Sequence, residues 1–75
     1  MKDTDWNAKA ANLLKSELKR HGVKYGDLVE KLAEIGVHEK EVNVRNKLSR
    51  GTFTAAYFIQ CLEAIGCHVL RLGEP

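Results

Sequence analysis

The sequence predicts an all-α protein: a compact bundle of four helices followed by a short C-terminal extended segment. Three observations predict it. Apolar residues recur at spacings of three and four along most of the chain, the period of a helix with one buried face. Each such stretch is closed by a glycine, at Gly22, Gly36, Gly51 or Gly66, the residue that most often stops a helix. The one proline is Pro75, so no internal segment is barred from being helical.

The elements follow in order. Residues 1–4 are polar and expected to fray. Thr4 or Asp5 can cap a first helix. In that helix Trp6, Ala10, Leu13, Leu14, Glu17 and Leu18 form one stripe, with Trp6 expected as a core anchor near its start. Lys19, Arg20 and His21 suit the negative end of the helix, and Gly22 stops it. A second helix spans about Tyr25 to Ile35, with Tyr25, Leu28, Val29, Leu32 and Ile35 facing the core. Asp27 suits its first turn, Gly36 closes it, and Val37 folds back over its last turn. A third helix starts between Glu39 and Asn43 and runs to about Arg50. Val42 or Val44, with Leu48, are its few buried points, so its neighbours must hold it in place. Gly51 ends it.

Thr54 can cap a fourth helix, with Phe53 and Phe58 placed as a hydrophobic staple. Ala55, Phe58, Ile59, Leu62 and Ile65 are expected to be its buried face. Small residues at Ala55 and Ala56 would let another helix approach. The second and fourth helices end alike: Ile35-Gly36-Val37-His38 matches Ile65-Gly66-Cys67-His68, which predicts one stop geometry used twice. Cys67 to Leu72 is either extended or a fifth helical turn. An extended segment there would pack on the helices or pair with a second copy.

Seventy-five residues make one domain, 1–75, with a thin stability margin that association into a homodimer would improve. At 44% apolar and 29% charged, the composition is that of a folded protein. Two cysteines, Cys61 and Cys67, are placed awkwardly for a bridge and suggest a reducing, cytoplasmic setting. No signal peptide and no membrane span are expected.

The net charge of +2 says less than its distribution. The stretch from Val42 to Leu62 carries Arg45, Lys47 and Arg50 and no acid, whereas residues 22–41 are net acidic. A local basic footprint is what a phosphate-binding surface needs. It is also what the C-terminal end of an ordinary surface helix looks like.

No enzyme motif is present: there is no glycine-rich phosphate loop, no serine elbow and no evident carboxylate pair. Cys61, Cys67, His38 and His68 match no standard zinc spacing, so no metal or other cofactor is expected. No small-molecule substrate is evident. What remains is the corner at Ser49-Arg50-Gly51-Thr52-Phe53-Thr54. There one helix ends with cations and the next begins with hydroxyls and unpaired backbone N–H groups, a combination that binds anions. Arg45, Lys47, Arg50, Thr52 and Thr54 are the candidate phosphate contacts. Asn43 and Asn46 carry side chains able to reach base edges.

The pattern from Leu14 to Gly66 resembles the lambda-repressor-like (Cro/C1) helix-turn-helix group. Gly22, Leu28-Val29, Arg50-Gly51 and Ala64-Ile65-Gly66 stand where that group places its helix stops and core pair. The resemblance implies a helix-turn-helix variant, double-stranded DNA as partner, and a small bacterial transcriptional regulator. Lys24, Tyr25 and Ser49 depart from the group's usual residues, and the Gly22–Gly51 interval is longer. More narrowly, Asn46 to Phe53 with Ala55-Ala56 and Gln60-Cys61-Leu62 resembles a family of small uncharacterised bacterial domains. The alternative function is a protein-interaction module, antitoxin-like or a complex subunit, that kept the fold without DNA binding.

Overall fold

The computed structural model describes residues 5–73; the expected fraying of residues 1–4, Thr4 as a cap, and the last two residues of the tail lie outside them. Four helices follow one another: α1 Trp6–Arg20, α2 Tyr25–Glu34, α3 Glu41–Arg50 and α4 Ala55–Ala64. The all-α, four-helix expectation holds. Residues 67–72 run on without helix or strand, so the fifth helical turn is not formed.

Local chemistry sets the helix starts. Asp5 caps α1, its carboxylate accepting from the Ala8 N–H at 3.0 Å. Asp27, inside the first turn of α2, reaches back to accept from the Lys24 N–H at 3.1 Å. Thr54 caps α4, its hydroxyl oxygen accepting from the Tyr57 N–H at 3.0 Å. The staple forms as well: the rings of Phe53 and Phe58 stack with centroids 5.9 Å apart. A good side-chain cap is worth about 1 kcal/mol, a sizeable share of a small domain's stability.

The ends are more uniform than the starts. In α1, α2 and α4 the second residue past the cap donates back to a leucine carbonyl: Val23 to Leu18, Val37 to Leu32 and Cys67 to Leu62, at 2.8, 2.9 and 2.9 Å. The intervening glycine is left-handed each time, as this closure requires. The shared ending expected of α2 and α4 is therefore real, and α1 uses it too. The closure also turns Val23, Val37 and Cys67 inward against the core.

Packing is crossed. α1 lies against α3 and α4, α2 lies against the same two, and neither α1 with α2 nor α3 with α4 forms a packed pair. Between them are Leu14 and Leu18 of α1, Leu28 and Leu32 of α2, Val44 and Leu48 of α3, and Tyr57 and Cys61 of α4, with Ile65 and Cys67 beyond it. Each fully buried aliphatic side chain contributes about 1.5–3 kcal/mol. Cys61 lies in this core, and both cysteines are unbridged.

Three apolar expectations are corrected. Trp6 is 68% exposed rather than a core anchor. The stripe of α1 that turns inward runs through Ala11, Leu14 and Leu18, and Lys9 instead covers the Trp6 ring, its Nζ 5.6 Å from the centroid. Ile35, which follows α2, is also exposed, whereas on α3 the alternatives Val42 or Val44 resolve to Val44, buried with Leu48 as expected. Of the face expected for α4, Ile65 just past its end is buried and Phe58 and Leu62 pack half-buried on the core. Ile59 and Ala55 face out, and Tyr57 and Cys61 are the buried residues of the helix. α4 carries a single charged residue, Glu63, so its apolar period does not mark which side is inner. Ala55 and Ala56, expected to admit a neighbouring helix, are both exposed.

The end of α3 differs from the others. Gly51 is left-handed at φ 69°, and its N–H donates to the Lys47 carbonyl at 2.9 Å. It is buried against the first turn of α1: a Cβ there would stand 1.9 Å from the Asn7 carbonyl oxygen. Gly22 has a similar φ but open space around it. Gly22→Ala should therefore cost about 1–2 kcal/mol, the left-handed strain alone. Gly51→Ala should cost more than about 3 kcal/mol, lowering Tm by about 12 °C or more, because backbone must move as well. Thermal melts of the two variants read the difference, and equal losses would mean that α1 and α3 do not meet this closely.

Candidate functional site

α3 contributes only Val44 and Leu48 to the core, so most of its surface faces solvent. Asn43, Arg45, Asn46, Ser49 and Arg50 are exposed along it, and Lys47 is half-buried. The helix is seated at both ends. At its start a Cβ on Gly26 of α2 would meet the Glu41 carboxylate at 3.3 Å, and the Arg45 guanidinium lies 5.9 Å from the centroid of the Tyr25 ring. At its finish Gly51 rests on Asn7.

The sequence-predicted contact residues divide into two groups. Asn43, Arg45 and Lys47 are engaged with carboxylates of their own molecule. Asn43 donates to Glu39 at 3.3 Å, and Arg45 donates to Glu41 at 2.9 Å. Lys47 donates to the second oxygen of Glu39 and sits 4.4 Å from the centroid of the Tyr57 ring. Arg50, Asn46 and Thr52 are exposed, and among the described residues their side chains make no hydrogen bond or ion pair. Thr54 is used as the α4 cap. That leaves the Ala55 and Ala56 N–H groups as first-turn donors with no helical acceptor.

The basic block is thus free of acids only along the sequence. Glu39 and Glu41 lie just outside it, and helical spacing of four brings them beside Asn43 and Arg45. Lys47, a candidate phosphate contact, is paired within its own molecule. The Lys47 ammonium joins the α2–α3 connection to α3 and α4. Its carboxylate partner is well covered, with the Glu39 side chain 13% exposed. The Lys47 hydrogen bond holds the Glu39 carboxyl below its ordinary 4.5, and burial opposes it more weakly. The Arg45–Glu41 pair is of the exposed i,i+4 kind, worth about 0.3–0.5 kcal/mol and weakened by salt. A phosphate can compete for Arg45 far more readily than for Lys47.

Below this face Tyr57 is buried, and its hydroxyl has no hydrogen-bond partner. Burial drives its pKa upward. Burial likewise pushes the Cys61 thiol up to about 11, the behaviour of an inert core cysteine.

A second polar cluster lies elsewhere, where α1 ends and the chain leaves α4. The Cys67 thiol donates to Glu17 at 3.3 Å, Arg20 donates to the same carboxylate oxygen at 2.9 Å, and His21 Nε2 lies 3.7 Å from it. Arg20, and after it Cys67, hold the Glu17 carboxyl below the ordinary range by hydrogen bonding. Of Cys61, Cys67, His38 and His68, weighed from the sequence as a metal set, only Cys67 lies in this cluster, whose histidine is His21. Two sequence signals could have found it. Glu17 is the one charged residue in the α1 stripe, and Cys67 occupies the place that Val23 and Val37 fill after α1 and α2.

The pH dependence of the Lys47–Glu39 pair has a definite sign. Glu39 has a lower pKa folded than unfolded, so the pair stabilises the fold above pH 4.5 and its contribution is lost as pH falls through the folded value. Glu39→Gln should cost about 1 kcal/mol at neutral pH. The gap to the parent protein should narrow on acidification. Denaturant melts at neutral and acid pH check this, and a gap that widens in acid would contradict the pairing.

No curated protein and no solved structure matches the chain. A family model does, over residues 6–70, a span that takes in all four helices. The chain belongs to the family described as domain of unknown function DUF6471.

Proposed function

We propose that the domain binds double-stranded DNA through the outward face of α3, as a homodimeric bacterial transcriptional regulator of lambda-repressor-like helix-turn-helix type. The observation that carries this reading is the division of labour in α3. Two buried residues anchor it, its ends rest on α1 and α2, and Asn43, Arg45, Asn46 and Arg50 are exposed along it. Such a helix, packed on the one before it through a short connection, can enter a major groove. Arg50, Thr52 and the free Ala55 and Ala56 amides would hold a phosphate at the corner. Arg45 would exchange Glu41 for a second phosphate, and Asn46 and Asn43 would face base edges. Lys47 and Thr54 serve by fixing α3 and α4 rather than by touching DNA.

One observation favours a second reading, a protein-interaction module. Glu39 and Glu41 place negative charge at the leading end of α3, and Val42 and Ile59 stand 53% and 60% exposed. Carboxylates and exposed aliphatic side chains suit a protein partner better than a polyanion.

Fluorescence anisotropy with a mixed-sequence duplex separates the two. DNA binding predicts affinity that falls linearly on a log–log plot against salt. Arg45→Gln and Arg50→Gln should each reduce that slope by about 1. Absence of binding at low salt, or variants indistinguishable from the parent, would leave the protein-partner reading.

A further inference from the structure

Two residues at the α1–α4 junction are not the ones packing would choose. Glu17 puts a carboxylate on the inner side of α1, among Leu14 and Leu18, and is buried. Cys67 closes α4 in the position where the same closure after α1 and α2 uses valine. Burying a carboxylate is costly unless it has partners. Departures from local rules that coincide in space point to a site.

The geometry at that junction is that of a ligand set. One oxygen of Glu17, one ring nitrogen of His21 and the sulfur of Cys67 all lie within 4.8 Å of one another. Sulfur to oxygen is 3.3 Å and nitrogen to oxygen is 3.7 Å. Metal–ligand bonds of about 2.0–2.3 Å at tetrahedral angles separate neighbouring ligand atoms by about 3.3–3.6 Å. The three groups are also well fixed. Glu17 and His21 are one helical turn apart, with His21 as the C-cap of α1, and Cys67 is held by its backbone bond to Leu62. The last turns of α1 and α4 end here, and helix C-termini favour a cation.

We propose that Glu17, His21 and Cys67 form a binding site for a divalent transition-metal ion of the zinc type. Carboxylate, imidazole and thiolate are the donors such an ion selects, and the two anionic ones balance its charge. Binding releases the thiol proton of Cys67 to solvent. The Arg20 guanidinium, now on Glu17, swings away on a side chain that is 66% exposed. The fourth position remains for water or another small ligand. The ion clips the end of α1 to the segment after α4, a region with no other covalent or metal tie among the described residues.

Cobalt(II) reports this site directly. Added to the reduced full chain, it should give a thiolate-to-cobalt charge-transfer band and tetrahedral visible bands, saturating at one ion per chain and displaced by zinc. Zinc at a hundredfold excess over Kd should raise Tm by about 10 °C. Cys67→Val removes the sulfur but restores the residue used at the two sister closures, so it folds, and it should abolish both effects. Cys61→Ala should keep both. Arg20→Ala should tighten binding several-fold by releasing Glu17. No charge-transfer band at millimolar cobalt, or a band that survives in Cys67→Val, would overturn the proposal.

Discussion

The arrangement depends on one close approach, the backbone of Gly51 against the Asn7 carbonyl of α1. A side chain at residue 51 would overlap that oxygen, so the contact exists only because the residue is glycine. It places the end of α3 on the start of α1. The remaining restraints on α3 are few: Val44 and Leu48 in the core, and Lys47 held between Glu39 and Tyr57. A ten-residue helix has little stability of its own, so these points decide where it lies. Because these act on its inner side and its ends, the outer side carries only the exposed Asn43–Glu39 and Arg45–Glu41 contacts, and the Asn46 and Arg50 side chains there have no partner among the described residues.

The other helices are stopped by one repeated device. A leucine carbonyl, a left-handed glycine and an inward-turned residue recur after α1, α2 and α4. The device ends the helix and adds a core side chain in the same step. A small domain gains from this, because it has little interior to fill and each buried group is a large fraction of the total. The third use carries a thiol instead of a branched alkyl group, and that thiol meets the one carboxylate on the inner side of α1. The proposed metal site rests on this substitution and is independent of what α3 binds.

Much of the fold was legible because helix limits are set locally. Asp5, Thr54, Phe53 and the four glycines announce starts and stops through chemistry confined to a few neighbouring residues. Burial was less legible where a helix is apolar on several sides. α4 offered Ile59 for the buried face, and the folded chain buries Cys61 instead. Trp6 illustrates the converse: its size argued for burial, but the inward side of α1 runs through Ala11, Leu14 and Leu18 and leaves Trp6 out. At the candidate site the exposed residues were readable and their partners were not. Glu39 and Glu41 fall outside a block defined by sequence, yet a helix returns them to it. The Glu17–Cys67 contact joins residues 50 positions apart; each departs from its local pattern, but nothing local pairs the two.

The functional account therefore turns on whether the unoccupied side of α3 is where a polyanion attaches. Amide chemical-shift mapping of the full chain with a mixed-sequence duplex at low salt tests it most directly. The account predicts perturbations concentrated between residues 41 and 56, largest near Asn46, Arg50 and Ala55, with the α1–α4 junction unchanged. Perturbations confined to the outer face of α4 or to the junction, or none at all, would contradict it.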